Sequence, residues 1–202
     1  MNPIKTRIKE YLNSLPSELV PLKEIGISYL RHCSSIDTDS VQIAHRPWLG
    51  SLNYAVTLFS PAKKNWIKKF RLKKIPKAYQ EILMATNGLF AFGLSLYGLA
   101  PSMQLNPQAL NRFMRQCYDL SVANEDWIRE YEIDQNLFHF GGREFSETEN
   151  IGYFMTDESK IHAYRKTGEF LQEWKSFSSF LENELYIAEQ IAKEQTEEDW
   201  WS

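Results

Sequence analysis

The sequence contains few cysteines. Among its 202 residues there are two, Cys33 and Cys117, which lie 84 positions apart. Neither belongs to a CxxC pair or to a Cys/His spacing that could hold a metal ion. A chain of this length buries roughly 70% of the surface that its unfolded form exposes, so its core needs no disulfide. We therefore expect inert thiols and a reducing, cytoplasmic location.

Long apolar runs are also missing. The longest candidate, Leu89 to Ala100, is interrupted by Gly93, Ser95 and Gly98, whereas a membrane-spanning helix needs about 20 predominantly apolar residues in succession. We therefore predict no membrane span. Internal repeats and low-complexity segments are absent too. The 43% hydrophobic and 14% aromatic content is typical of a chain that folds, and it excludes disorder as the dominant state.

The charge is nearly balanced overall but unevenly distributed. The chain has 23 basic and 26 acidic residues. Eight of the basic residues fall between Lys63 and Lys77, a segment with no acidic residue, which leaves a net charge of −11 on the rest of the chain. A general nucleic-acid binder is expected to be basic as a whole, because counterion release drives its binding. The charge distribution therefore disfavours nucleic acid as a partner.

The basic segment 63–77 also has helical spacing. Ser60-Pro61 predicts an N-cap followed by a proline in the first turn, and Trp66, Ile67 and Phe70 form one apolar face. These aromatic rings could stack on bases, or lie in a membrane interface, while the lysines contact phosphates. Alternatively, the apolar face packs into the core and the lysines form a solvated surface. We favour the second interpretation, because the spacing is that of an ordinary core-facing helix.

Helical patterns occur early and late in the chain, and strand patterns lie between them. Apolar residues at helical spacing predict helices over residues 4–15, 61–70, 76–86, 106–117 and 176–191. Alternating apolar residues predict strands over residues 52–58, 89–99, 137–140, 151–155, 161–164 and 170–174. Elsewhere between residues 21 and 60 the signals are mixed. We predict an α+β fold with a mostly antiparallel, mixed sheet and flanking helices.

Capping residues and glycine pairs predict where several of these elements end. Asn87-Gly88 predicts a left-handed cap after the helix 76–86, and Ser176 predicts the N-cap of the last helix. Gly141-Gly142 lacks the GxxxxGK[ST] and GxGxxG patterns of phosphate-binding loops. We interpret this pair as a hairpin turn that ends the strand 137–140.

The four histidines offer little support for catalysis. None stands at HxxxH or HxH spacing, so a local zinc motif is absent. His139 and His162 fall in predicted strands and could meet across a sheet, with Cys117 or Asp157, as the site of a small enzyme. A histidine within an aromatic strand is more often a hydrogen-bonded structural residue. We favour that interpretation, and we predict no catalytic, cofactor-binding or metal-binding residue.

One segment resembles the signature of a known family. Residues 75–88, IPKAYQEILMATNG, have the proline, the aromatic residue, the Leu-rich helix and the Asn-Gly end typical of the SUKH superfamily, of the Smi/Knr type. Further matching features follow in the family's order at Leu96-Tyr97-Gly98, 138–141, Gly152-Tyr153, 160–164, Gly168 and 176–181. The resemblance implies a Smi/Knr-like domain over residues 61–186, an N-terminal extension packed on it over 1–60, and a helix end with an acidic tail over 187–202.

The resemblance also implies a binding protein without catalytic activity and without a cofactor. Bacterial members of the superfamily are typically immunity proteins that neutralise a cognate toxin, often a nuclease. Fungal members regulate cell-wall glucan synthesis. We therefore expect an immunity protein whose partner is a protein toxin, with a regulatory scaffold as the alternative. The fold implied is a mixed sheet with helices on one side, which leaves a face for the partner.

Acidic residues near an aromatic side chain are the candidate interface. An inhibitor of a basic nuclease would use carboxylates to steer the encounter and to mimic phosphate. We select Asp157 and Glu158, which follow a predicted strand, and Glu173 and Trp174 in the last strand. Further candidates are the acidic residues of the loop that follows Arg143, namely Glu144, Glu147 and Glu149. The terminal pair Trp200-Trp201 could dock on the domain, pack on a second subunit or remain free.

Overall fold

The computed structural model describes residues 2–36, 40–45, 54–99, 118–125, 131–144 and 150–194. The helices in these residues are α1 (Pro3–Asn13), a short 3-10 helix (Ser17–Leu19), α2 (Val20–Tyr29), α3 (Lys64–Lys69), α4 (Lys77–Ala85), α5 (Leu120–Asn124) and α6 (Phe177–Glu194). The strands are β1 (Ser35–Ile36), β2 (Ser40–His45), β3 (Tyr54–Phe59), β4 (Leu89–Ala91), β5 (Leu94–Leu96), β6 (Phe138–Glu144), β7 (Asn150–Met155), β8 (Ile161–Arg165) and β9 (Phe170–Trp174).

The nine strands form one sheet in chain order, and every neighbouring pair is antiparallel. Among the described residues the one parallel contact is an isolated bridge between Gly98 and Asp119. Short turns join β4 to β5, β7 to β8 and β8 to β9, where Gly93, Ser159 and Gly168 take up positive φ angles. The predicted α+β class, with a mostly antiparallel sheet and flanking helices, is confirmed. None of the described helices has the length and apolarity that crossing a membrane requires.

The main core lies between one face of the sheet and the helices α4 and α6. Phe180 of α6 packs edge-on against Phe140 and Tyr153, with ring centroids 5.6 Å and 4.8 Å apart. Tyr79 of α4 is fully buried, and its hydroxyl donates to the carbonyl oxygens of Tyr97 at 2.6 Å and Phe140 at 3.1 Å. Burying each of these aromatic side chains contributes roughly 2 kcal/mol. Because the Tyr79 hydroxyl is hydrogen-bonded, its burial does not cancel the stabilisation that burying the ring provides.

The described part of residues 1–60 belongs to the same sheet and core. Helix α1 begins as predicted, because the Asn2 side chain accepts a hydrogen bond from the Ile4 N–H at 3.0 Å. The stretch with mixed sequence signals contains α2, β1 and β2. Helix α2 packs on α1 at Gly26, where an added Cβ would lie 3.1 Å from Leu12. Strand β3 then pairs with β4, and Val56 stands opposite Ala91. The predicted N-terminal extension is thus continuous with the rest of the sheet.

The basic helix begins later than predicted. Ser60-Pro61 does not cap it, because the N–H of Ala62 is hydrogen-bonded to the carbonyl oxygen of Leu83 at 2.8 Å and holds this segment against α4. Helix α3 starts at Lys64, and its N-terminal neighbour makes no side-chain cap. The predicted N-cap is therefore wrong by three residues. The helix that was predicted over 106–117 lies outside the described residues.

The pair Gly141-Gly142 lies inside β6 and does not form the predicted hairpin turn. In the ladder with β5, Gly141 stands opposite Leu96 and Gly142 opposite Ser95. A Cβ on Gly141 would lie 2.8 Å from the Ser95 carbonyl oxygen, and one on Gly142 would lie 2.7 Å from the Tyr97 hydroxyl. The prediction was wrong because glycine here permits a close approach of neighbouring groups across the sheet.

Asn87-Gly88 connects α4 to the sheet in a different way from a simple helix cap. The helix ends at Ala85, and the extended residue Thr86 follows it. The Asn87 side-chain amide donates to the Leu99 carbonyl at 2.7 Å and accepts from the Leu99 N–H at 2.8 Å. Gly88 has the expected left-handed backbone, with φ of 88°. The pair therefore turns the chain into β4 and holds the segment that follows β5.

Candidate functional site

The four predicted interface residues lie at one end of the outer strands. Met155, the last residue of β7, stands opposite Ile161 in β8, which in turn stands opposite Trp174 in β9. Asp157 and Glu158 are exposed in the turn between β7 and β8. That turn is closed by hydrogen bonds between residues 156 and 160, with Ser159 at φ of 64°. The sequence prediction thus selected neighbouring positions.

Trp174 and Glu173 point to opposite faces of β9, as successive residues of a strand must. The Trp174 indole is only 6% exposed and packs against Phe180 of α6, with the ring centroids 5.3 Å apart. It therefore belongs to the core and has little surface to offer a partner. Glu173 faces away from α6 and is exposed. The carboxylates of Asp157, Glu158 and Glu173 are the open part of the predicted set.

Four side chains on the face of β8 and β9 opposite α6 form a contiguous group, which we call the edge cluster: His162, Tyr164, Phe170 and Glu173. His162 Nε2 lies 3.0 Å from a Glu173 carboxylate oxygen, and its Nδ1 lies 3.3 Å from the Tyr164 hydroxyl. The Phe170 ring lies edge-on to both His162 and Tyr164, at centroid distances of 5.5 Å and 5.6 Å. Phe170 is 52% exposed. The edge cluster therefore presents a carboxylate beside an exposed aromatic ring.

Sequence reasoning missed Tyr164 and Phe170 as surface residues. The two residues are identified by the pairing of β8 with β9. Tyr164 stands directly opposite Phe170, and His162 stands directly opposite Glu173. A register shift at Ala163/Tyr164 places these two pairs on the same face. Alternation within β9 alone does not reveal the shift, since a bulge changes which residues share a face. The pairing of the two strands was needed to find the edge cluster.

His139 and His162 do not meet. They face the same side of the sheet, but Phe154 stands between them in the ladder and stacks on the His139 ring at a centroid distance of 4.3 Å. The two His139 ring nitrogens lie 3.3 Å and 3.1 Å from the carbonyl oxygens of Ala123 and Gly141. His139 is thus a buried, hydrogen-bonded sheet residue, as favoured above. Cys117, the third member of the hypothetical enzyme site, lies outside the described residues.

A buried polar group joins the sheet to α6, and we call it the buried triad: Arg143 of β6, Tyr153 of β7 and Glu184 of α6. Arg143 Nε lies 2.8 Å from a Glu184 carboxylate oxygen and 3.0 Å from the Tyr153 hydroxyl, which donates to the same carboxylate. Burial raises the pKa of Glu184, although the Arg143 guanidinium opposes that effect. Burial also raises the pKa of Tyr153 well above its ordinary value, and the Glu184 charge adds to this. No local sequence pattern connects these three residues.

The aromatic residues of the basic segment are engaged by the protein itself. Trp66, Ile67 and Phe70 are partly buried against the core. The Phe70 ring lies edge-on to Phe138 at 6.4 Å, and the Lys63 ammonium lies 5.5 Å from the centroid of the Trp66 ring. This packing agrees with the favoured interpretation, in which the lysines form a solvated surface.

The remaining residues considered in the sequence analysis are a metal site, Cys33, the acidic loop after Arg143 and the terminal tryptophans. Within the described residues, no group of three or more His, Cys, Asp or Glu side chains is placed to hold a metal ion. Cys33 is exposed and free. The side chains of Glu144, Glu147 and Glu149 and the pair Trp200-Trp201 lie outside the described part of the chain. In comparisons with known proteins, no family model matches the chain, and neither does any curated protein or solved structure.

Proposed function

We propose that this protein is a non-enzymatic binding domain of the immunity type, which neutralises a basic protein toxin, such as a nuclease, by covering it. The observation that supports the proposal most directly is the exposure of the carboxylates of Asp157, Glu158 and Glu173 at one end of the outer strands, where Glu173 shares a face with the exposed ring of Phe170. The resemblance to Smi/Knr-type proteins points to the same class. A regulatory scaffold would use the same surface to bind a partner without inhibiting it.

Physical chemistry favours binding at this surface. The chain has a net charge of −3. At this surface Asp157 and Glu173 are exposed, and Glu158 lies 3.5 Å from the Lys160 ammonium. These local carboxylates attract a basic group over a distance of about 10 Å at moderate salt. Steering of this kind raises the association rate more than the final affinity. Affinity needs apolar area that becomes fully buried in the complex, and the exposed ring of Phe170 offers it within the edge cluster. The surface thus combines the two contributions that a tight inhibitor needs.

The proposal is tested by capturing the partner and then measuring neutralisation. Tagged protein is used to retrieve partners from the lysate of its own organism at about 0.15 M salt, a concentration that screens long-range charge effects. Mass spectrometry identifies the retained proteins. The captured toxin is then expressed in a sensitive host with and without this protein. Recovery of a stoichiometric toxin whose lethality is abolished supports the proposal, whereas a set of cell-wall or signalling proteins supports the scaffold.

A charge variant locates the interface. Asp157→Asn, Glu158→Gln and Glu173→Gln together remove three carboxylates from the proposed surface. A matched control removes three exposed carboxylates from α1, α2 and α4, as Glu10→Gln, Glu24→Gln and Glu81→Gln. Both triple variants change the net charge equally, so only a local effect separates them. We expect the first to lose neutralisation and the second to keep it, and equal behaviour of the two would contradict the proposed location.

A further inference from the structure

The two edge strands of the sheet differ in the length of backbone that they offer to another strand. Strand β1, at one edge, has two residues, whereas β9, at the other edge, has five. Strand β9 contains neither proline nor glycine. Natural sheets commonly protect an edge with a short strand, a proline or an inward-pointing charge, because unpaired N–H and C=O groups are a template for another strand. The β1 edge is protected by its short length, whereas the β9 edge has one irregularity, the register shift near Leu171.

The outer backbone groups of β9 are available in the described part of the chain. Strand β8 is its one hydrogen-bonded neighbour there, and no turn, cap or side chain is bonded to the backbone of residues 170–174. The register shift near Leu171 interrupts the ladder, but Gln172, Glu173 and Trp174 follow it in regular pairing with β8. A strand with one neighbour directs alternate N–H and C=O groups outward. Residues 172–174 are therefore the accessible part of this edge.

We propose that β9 accepts an extended segment of the protein partner as a tenth strand, and that this segment places an apolar side chain against Phe170 and a basic side chain against Glu173. The inference rests on the proposed function, since it assigns the mode by which that partner is bound. Main-chain hydrogen bonds provide affinity in such strand addition, and side chains on one face provide selectivity. The selective face here is the edge cluster.

The charge of the edge cluster determines the chemistry of the partner segment. Glu173 is the acidic side chain of the cluster. Burial raises the pKa of Tyr164, and the charge of the Asp134 carboxylate raises it further, which indicates a second carboxylate near this face. A partner carboxylate on this face would be repelled, and a lysine or arginine would be attracted. Phe170 and Tyr164 pack edge-on and leave an apolar surface next to that charge. A strand with an apolar and a basic side chain two residues apart, and therefore on the same face, is the complementary segment.

The test uses synthetic peptides of about eight residues in which valine and lysine take turns on one face and threonine occupies the other face, as in a repeated Val-Thr-Lys-Thr sequence. They are added to the full-length, isotope-labelled protein. Two further peptides carry N-methyl groups on alternate residues, each blocking the N–H groups along one backbone edge. Strand addition uses one edge of the incoming peptide. We expect one methylated peptide to lose at least about tenfold in affinity and the other to stay within about threefold of the parent. NMR shifts should be largest at the amides of residues 171–174.

Two variants test the side-chain contacts. Phe170→Ala should weaken the parent peptide at least about fivefold, by removing apolar contact area. Tyr186→Ala is the matched control, because Tyr186 is an aromatic side chain that is 63% exposed on α6, and it should leave binding unchanged. Glu173→Lys should weaken the lysine peptide and strengthen a peptide with glutamate in place of lysine.

Three results would overturn the inference. Equal binding of both methylated peptides would show that backbone pairing is not used. Absence of shifts at residues 171–174 with about 1 mM parent peptide would show that the edge is closed. A concentration-dependent dimer that hides these amides, detected by sedimentation, would assign the edge to a second copy of this chain. Neutralisation of a captured toxin without peptide binding would leave the proposed function standing, whereas peptide binding without any neutralised toxin would remove that function and keep the strand-addition site.

Discussion

Arg143 in β6 and Glu184 in α6 form an ion pair with 2.8 Å between Nε and the carboxylate oxygen, and their side chains are 7% and 3% exposed. The Tyr153 hydroxyl is hydrogen-bonded to both. Two charges withdrawn from water are costly unless their remaining hydrogen-bonding groups are also occupied. The ion pair and these hydrogen bonds therefore join α6 to β6 and β7, beside the packing of Phe180 against Phe140, Tyr153 and Trp174.

Removing the carboxylate of the buried triad should destabilise the protein strongly. We expect Glu184→Ala to lower the free energy of unfolding by about 3 kcal/mol or more, because the Arg143 charge stays buried after its partner is lost. Glu182→Ala is the control, since Glu182 is exposed on the same helix. Urea unfolding followed by circular dichroism measures both. A loss of less than about 1 kcal/mol for Glu184→Ala would show that the ion pair is unimportant for stability.

Alkaline pH should destabilise the protein through Tyr11. Burial raises the pKa of Tyr11 from 10.0 to about 12 in the folded state. Between these values the unfolded chain releases the proton while the folded chain retains it. The stabilising contribution is thus complete below pH 10 and is lost as the pH rises towards 12, by about 2 kcal/mol at most.

The Tyr11 prediction is measured by urea unfolding at pH 9 and pH 11. Tyr11→Phe should show a smaller fall in stability between these two pH values than the parent protein. Tyr186→Phe, at an exposed position, should keep the full pH dependence. If the Tyr11 and Tyr186 variants lose stability in parallel with the parent protein, the buried Tyr11 hydroxyl is not responsible.

The close contact between Gly142 and Tyr97 should appear as a coupling energy. A Cβ on Gly142 would lie 2.7 Å from the Tyr97 hydroxyl, so Gly142→Ala should cost about 1–3 kcal/mol through overpacking. Tyr97→Phe removes the hydroxyl that the methyl group meets. In the Tyr97→Phe background we expect Gly142→Ala to cost at least about 0.5 kcal/mol less, as measured by a double-mutant cycle. Additive effects would indicate that the hydroxyl is not the obstacle.

The side chain of Asn87 should be important for the connection between α4 and the sheet. It makes two hydrogen bonds with the backbone of Leu99, at 2.7 Å and 2.8 Å. Asn87→Ala leaves a buried carbonyl and a buried N–H without these partners, at an expected cost of about 2 kcal/mol or more. Asn65→Ala, at an exposed site on α3, should change stability by less than about 0.5 kcal/mol. Thermal unfolding compares the two variants.

Association with the captured partner should depend on salt through the outer carboxylates. Raising the ionic strength from about 0.05 M to about 0.5 M shortens the range of charge interactions, so the association rate should fall more than the dissociation rate rises. The Asp157, Glu158 and Glu173 triple variant should associate slowly already at low salt. Surface plasmon resonance resolves the two rates. An association rate that does not change with salt would exclude electrostatic steering.

Much of the outer sheet could be predicted from the sequence because its signals are local. Strand β8 alternates between buried and less buried residues, and β7 and β9 are short segments rich in apolar residues. Turn residues such as Asp157 and Gly168 separate the three strands. Helix α6 begins where Ser176 predicts it, since the Ser176 hydroxyl accepts from the Ser179 N–H at 3.1 Å. The exposed positions of Asp157 and Glu158 follow from the same turn. These features require no knowledge of distant contacts.

Other features were wrong or missed because distant residues decide them. Gly141-Gly142 has the composition of a turn, yet the closeness of Ser95 and Tyr97 places it within a strand. Ser60-Pro61 has the composition of a helix start, yet the carbonyl of Leu83 holds the next N–H group. Trp174 was selected as a surface anchor, and its contact with α6 makes it a core residue.

Local sequence patterns specify the periods of the helices and strands, the turns of the outer hairpins and the separation of a basic segment from an acidic remainder. These depend on backbone preferences and side-chain order over a few residues. Tertiary structure alone decided that Arg143 meets Glu184, that Phe154 separates His139 from His162, and that Phe170 joins Glu173 on one face. Such contacts depend on strand register and helix packing, and both are set by the most favourable burial of the whole chain.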